Sequence, residues 1–81
     1  MEVISLKDLL VSILKGLVEN PDEVSVEVTE AEDGAFVYHV HVAEEDMGRV
    51  IGKQGRIAKA IRVVMRAAAI RNDQRISVEI E

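Results

Sequence analysis

Gly52-Lys53-Gln54-Gly55 is the stretch of this chain whose residue types could do chemistry. Two glycines stand in a G-x-x-G spacing, with Lys53 and Gln54 between them. Arg49, Val50 and Ile51 come just before, and Arg56, Ala58, Lys59 and Arg62 follow. Such a set suits an anion, and a phosphate best of all. Glycine at both ends lets the chain turn tightly and brings an anion close to bare backbone. A helix starting just after the turn adds N–H groups and the positive end of its dipole. Lys53 adds a mobile charge above them.

Two other phosphate-handling motifs do not fit. A Walker A loop needs G-x-x-x-x-G-K-[ST] after a strand. Here three residues separate Gly48 from Gly52, Gln54 stands where a hydroxyl would hold magnesium, and the preceding segment reads as helix. The dinucleotide fingerprint G-x-G-x-x-G and its βαβ surroundings are absent. His39 and His41, at i and i+2, share a strand face, but a metal site needs three or four ligands and no third is evident. The histidines read as solvated, and no metal or cofactor is expected. The carboxylates are scattered rather than paired in an apolar cleft, no Ser-His-Asp set can be assembled, and no enzyme is read here.

The whole chain carries a formal charge of −5, yet its charge is segregated. Residues 49–75 hold Arg49, Lys53, Arg56, Lys59, Arg62, Arg66, Arg71 and Arg75 against Asp73 alone, a balance of +7. The rest holds Lys7 and Lys15 against 14 acids, a balance of −12. Such separation gathers a polyanion at one place and repels it elsewhere.

The elements that must position the turn are legible from periodicity. Residues 5–18 read as an amphipathic helix with Leu6, Leu9, Leu10, Ile13, Leu14, Leu17 and Val18 at helical spacing, capped by Ser5 with Asp8 and stopped at Asn20-Pro21. Residues 23–30 alternate as a strand, with Val24, Val26 and Val28 on one face. Glu32-Asp33-Gly34 is a turn into a second strand over 35–43, with Phe36, Tyr38, Val40 and Val42 on one face; the two pair as an antiparallel hairpin. Glu44-Glu45-Asp46 opens a short helix, where acids favour the positive dipole end. A long helix runs from about Arg56 to Ile70, its core face formed by Ile57, Ala60, Ile61, Val64 and Ala68. Opposite lie Arg56, Lys59, Arg62 and Arg66. Residues 75–80 form the last strand.

The fold class is therefore α+β, a two-layer α-β-β-α-α-β sandwich with a three-stranded sheet and helices on one face. The other face, with Ser25, Glu27, His39, His41, Ser77 and Glu79, meets water. A G-x-x-G turn between two helices clamps about four nucleotides of a single strand through their backbone. Val50 and Ile51, with the edge of the second strand, line an apolar groove for bases. Tyr38 packs beside Phe36; with so few aromatics, folds that stack bases on several rings fit poorly. Val63, Ala67 and Ile70 form a second apolar stripe on the long helix. It either packs against the last strand or the chain end, or it is a dimer contact.

The stretch VIGKQGRIAKAIR resembles the KH signature, I-G-x-x-G followed by an amphipathic helix, and the element order resembles the type II arrangement found in bacteria. Across essentially its whole length the chain is similar to the small stand-alone bacterial KH proteins of the KhpA family. The resemblance implies single-stranded RNA as ligand, with Ile51-Gly52-Lys53-Gln54-Gly55 as the clamp and Arg56 and Lys59 as basic positions behind it. It assigns the base groove to Val50, Ile51 and Ala58. Many KH domains carry a large aliphatic residue where Ala58 stands, so no base preference transfers. The family also implies a heterodimer with a larger KH protein of the Jag type, and post-transcriptional regulation or RNA chaperoning bearing on cell elongation and division. A homodimer is the other expected pairing, since one KH domain contacts few phosphates and useful affinity needs a second RNA-binding unit.

Length bounds the rest. A chain of 81 residues suits one KH domain over 1–81. It has no cysteine, in keeping with a reducing cytoplasm. Lys7, Asp8 and Lys15 break the N-terminal apolar run before it could span a bilayer, and Glu2 argues against a signal peptide. Two other readings stay open: a protein-interaction module with little RNA binding, and a binder of single-stranded DNA.

Overall fold

The computed structural model describes residues 5–80. Glu2 and the ends of the 1–81 domain range lie outside them. Helix α1 (Leu6–Leu17) leads into a 3-10 turn at Pro21–Glu23 and strand β1 (Ser25–Glu30). Strand β2 (Phe36–His41), a 3-10 turn at Glu44–Asp46 and the short helix α2 (Met47–Ile51) follow. A 3-10 turn at Lys53–Gly55 then enters helix α3 (Arg56–Arg71), and strand β3 (Ile76–Ile80) ends the series.

Ser5 caps α1 as its sequence suggests: its hydroxyl accepts the Asp8 N–H at 3.3 Å. The leucines face inward, with Leu10 and Leu14 fully buried. β1 starts at Ser25 rather than 23 because Pro21, with its fixed φ, favours the 3-10 turn ahead of it. The hairpin pairs β1 and β2 antiparallel from Ser25–His41 to Glu30–Phe36. Gly34 takes φ +86° in the connection, and the Asp33 carboxylate accepts the Ala35 N–H at 3.1 Å.

β3 pairs parallel to β2, so the sheet order is β1-β2-β3. A parallel neighbour needs a long crossover, and α2 with α3 supplies it. This corrects one expectation. The second strand is the central one and has no free edge; the open edges belong to β1 and β3.

The core joins Leu10, Leu14, Val26, Tyr38, Val40, Val42, Val50, Ile61, Met65 and Val78, with Phe36 packed against it. On the other face of the sheet, His39 Nε2 meets the Thr29 hydroxyl at 3.1 Å and Nδ1 lies 3.3 Å from Glu79. Among the described residues no group of three or more histidine, aspartate or glutamate side chains is placed to hold a metal ion. No described helix is long and apolar enough to cross a membrane.

Helix α3 is turned relative to the face read from its spacing. Its buried row is Ala58, Ile61, Met65 and Ala69, while Val64 is 48% exposed and Ala60 is exposed too. The helix has more apolar positions than the core uses, so periodicity alone cannot choose among adjacent faces. The sheet takes the row centred on Met65. Val63 and Ile70 are 65% and 67% exposed, so the last strand does not cover this second stripe, and the chain end lies outside the described residues.

Candidate nucleic-acid interface

The turn between α2 and α3 is built on two positive φ angles at glycine and one at a side-chain-bearing residue. Gly52 ends α2 at φ 74°, ψ 173°, Gln54 sits at φ 58°, ψ 23°, and Gly55 at φ 75°, ψ 14°. The Gly52 conformation belongs to a region populated almost only by glycine. Gly52 also has no room for a Cβ, which would lie 2.6 Å from Ile57 Cγ1 and 2.9 Å from Ile57 Cβ. Gly55 faces open space: nothing stands within 4 Å of where its Cβ would be. One glycine therefore lets the turn close against Ile57, and the other leaves a bare approach to the backbone.

Two N–H groups at the start of α3 are spent on the turn itself. Gly55 N–H donates to Gly52 O at 3.1 Å, and Arg56 N–H to Lys53 O. Lys53 and Gln54 stand exposed at the tip. Arg56 Nη2 reaches Gln54 Oε1 at 3.4 Å, holding its charge beside the loop. Lys59 is exposed one turn further along α3. Lys53, Gln54, Gly55, Arg56 and Lys59 are thus brought together around an open backbone, as their spacing suggests.

Four of the sequence-selected residues stand elsewhere. Val50 is fully buried and Ala58 is 5% exposed, so neither side chain offers a wall to a base; both support the turn from behind. Ile51, 36% exposed, does offer apolar surface beside it. Arg49 is engaged with two acids: its Nη2 donates to Glu19 Oε1 at 2.6 Å, and its Nε lies 3.9 Å from Asp46 Oδ1. Arg62 donates from Nε to Val78 O on β3 at 3.1 Å. Spacing cannot show the Glu19 and Val78 contacts, because those partners lie far along the chain.

Sequence reasoning also missed Asp46. It does not cap its own helix. It is 1% exposed, and its oxygens accept the Glu19 and Asn20 N–H groups, each at 3.1 Å, and Asn20 Nδ2 at 3.0 Å. Burial works to raise its pKa. The Asn20 side chain, the two amides and the nearby Arg49 charge outweigh that and hold it below the usual value. Asp46 thus ties the end of α1 to the start of α2, which carries the glycine turn.

A three-stranded mixed sheet under three helices, with the glycine turn joining the second helix to the third, puts this molecule among type II KH domains. A family model described as KhpA/KhpB, KH domain, matches residues 7–80, and the chain belongs to that family, which is not one of enzymes. It is 53% identical over 75 residues to RNA-binding protein KhpA of Clostridium acetobutylicum, covering 93% of this chain and 99% of that one. The protein of the same name from Listeria monocytogenes is 48% identical, with 93% and 97% covered. The one from Chlamydia caviae is 40% identical, with 93% and 95% covered.

Proposed function

We propose that this chain binds short single-stranded RNA in the cytoplasm. The Gly52–Gly55 turn takes a backbone phosphate, and the bases lie along the channel between α3 and the open edge of β3. The observation that carries the reading is the turn itself: Gly55 open above, Lys53 and Gln54 at the tip, Arg56 and Lys59 behind. The name its relatives carry, RNA-binding protein KhpA, supports it. Segregated charge supports it too. The basic segment positions the strand, and the acidic remainder repels nucleic acid from other faces.

One KH domain contacts few phosphates, so the salt dependence is shallow, with a slope of about −0.7 per phosphate neutralised. Titrating matched RNA and DNA oligonucleotides at several salt concentrations tests this. The expected result is tighter RNA binding, because the 2′-hydroxyl is what a protein can read. Equal affinity for both moves the assignment to single strands in general.

A protein interface is the second role, favoured by one apolar face. Leu9, Ile13, Leu17, Ile57, Ala60 and Val64 line an open groove of about 560 Å³ between α1 and α3. The exposed Val63 and Ile70 stand on the same helix. We assign this face to a second copy of the chain, or to a larger KH protein of the Jag type. Pairing raises avidity for RNA without a new RNA contact, the property a regulator or chaperone of RNA needs. Sedimentation of the parent and of Val63→Glu is expected to show a dimer and a monomer, respectively. A monomer in both cases, at every concentration, removes the homodimer.

A further inference from the structure

Arg62 makes a contact that an arginine serving only as a phosphate ligand does not need. Its Nε donates to the main-chain oxygen of Val78 at 3.1 Å, across the gap between α3 and β3. The register shows where that oxygen points. Phe36 N–H donates to Arg75 O at 2.9 Å, and Tyr38 pairs with Val78. Main-chain groups along a strand alternate sides, so Arg75, Ser77 and Glu79 turn toward β2. Ile76, Val78 and Ile80 turn toward the open edge. Arg62 therefore caps a carbonyl on the free edge of the sheet. Lys59 and Arg66 are on the same flank of α3, about a turn before and after it.

This cap changes what the edge can recognise. A bare strand edge offers an N–H donor and a C=O acceptor side by side. Adenine matches that pair, since its amino group donates and N1 accepts. With Arg62 on the Val78 oxygen, one of its two lone pairs is engaged, which weakens it as an acceptor for a base. Bonded through Nε, the guanidinium keeps its terminal N–H donors and brings no acceptor. A donor fork of that kind matches the O6 and N7 acceptors of guanine, the commonest specific contact of arginine with a base.

We propose that Arg62 sets the base preference of the channel, selecting guanine over adenine by capping the Val78 carbonyl and presenting its own donors instead. This rests on the reading that bases lie between α3 and β3. It differs from a general electrostatic role, because a phosphate contact affects all sequences alike.

The test uses labelled UGUGUG and UAUAUA RNAs, in which every binding register offers the channel a purine of one kind. Fluorescence anisotropy is measured with the parent, with Arg62→Leu, and with the Lys53→Asp/Gln54→Asp double variant. Arg62→Leu keeps an apolar stem at an exposed position, and its thermal melt checks the fold. The parent is expected to bind UGUGUG roughly tenfold more tightly than UAUAUA. Arg62→Leu is expected to bring that ratio to one or below. Loss of charge weakens both probes together, so the ratio reads only the base contact. If the parent does not discriminate, or Arg62→Leu keeps the parent's ratio, while the double variant fails to bind, the clamp stands and the role of Arg62 is overturned. If the double variant binds like the parent, the clamp reading fails and the channel assignment with it.

Discussion

Gly52→Ala is expected to destabilise the domain by about 3 kcal/mol, against about 1 kcal/mol for Gly55→Ala. Both glycines have positive φ, but their surroundings differ. At Gly52 the backbone region itself excludes a side chain, and the new methyl group would meet Ile57 at 2.6–2.9 Å. Ile57 is β-branched and cannot turn its Cβ away. Strain and overlap therefore add. At Gly55 the left-handed conformation carries only its own strain, because the space is open. Urea unfolding of the two variants beside the parent checks the difference. For a domain of this size, with a stability of about 5–15 kcal/mol, the first loss is a large share. Equal losses would mean that Ile57 yields and that the close packing of the turn does not fix its shape. Gly52→Ala is also expected to weaken RNA binding more than Gly55→Ala, because only the former must reshape the loop.

Asp46 governs the second large effect. Replacing it with alanine leaves the Glu19 and Asn20 amides without their acceptor and removes a partner of Arg49. Unmade hydrogen bonds at a buried site cost more than made ones contribute. The melting temperature is expected to drop by many degrees, and the junction of α1 with α2 to loosen first in hydrogen exchange. The pH dependence has a fixed sign. The Asp46 pKa is lowered in the folded state, so its contribution is fully present above the unfolded carboxylate value near 3.9. It is lost as pH falls through the lower, folded value. The parent is therefore expected to lose stability on acidification below about pH 4, and Asp46→Ala to lose less over the same range. An unchanged melting temperature, or the same acid loss in both proteins, contradicts this role.

The contrast between Asp46 and its neighbours shows which parts of the molecule the sequence made legible. Glu44, Glu45 and Asp46 are three acids in a row, and nothing local separates them. Only the folded chain brings the α1 terminus onto one of them. The strands were plain because Val26, Val40 and Val78 alternate with polar neighbours, and a period of two has a single solution. The position of β3 beside β2 was not plain, since a crossover carries no local pairing signal. α3 was legible as a helix but not in its rotation, because Ile57, Val63, Val64 and Ile70 extend its apolar surface beyond the buried row. Excess apolar surface of this kind suits a helix with one face in the core and another for a partner.

The glycine turn was the most legible part of the site, since its residues are contiguous and its conformations depend on residue type. Arg49 and Arg62 were the least legible. Both have charge at a plausible spacing, but their partners, Glu19 and Val78, come from other elements. Charge counted along a helix therefore overstates what is free for a phosphate. Lys53, Arg56 and Lys59 form a smaller set, and it lies at the turn.

The most direct measurement is fluorescence anisotropy of short labelled single-stranded RNAs with the parent and with the Lys53→Asp/Gln54→Asp double variant. Both positions are exposed at the tip of the turn, so two aspartates there repel a phosphate without touching the core. Binding by the parent, with its loss in a variant that melts like the parent, is the predicted result. Equal binding by both proteins would contradict the account and assign the RNA to the basic flank of α3 alone.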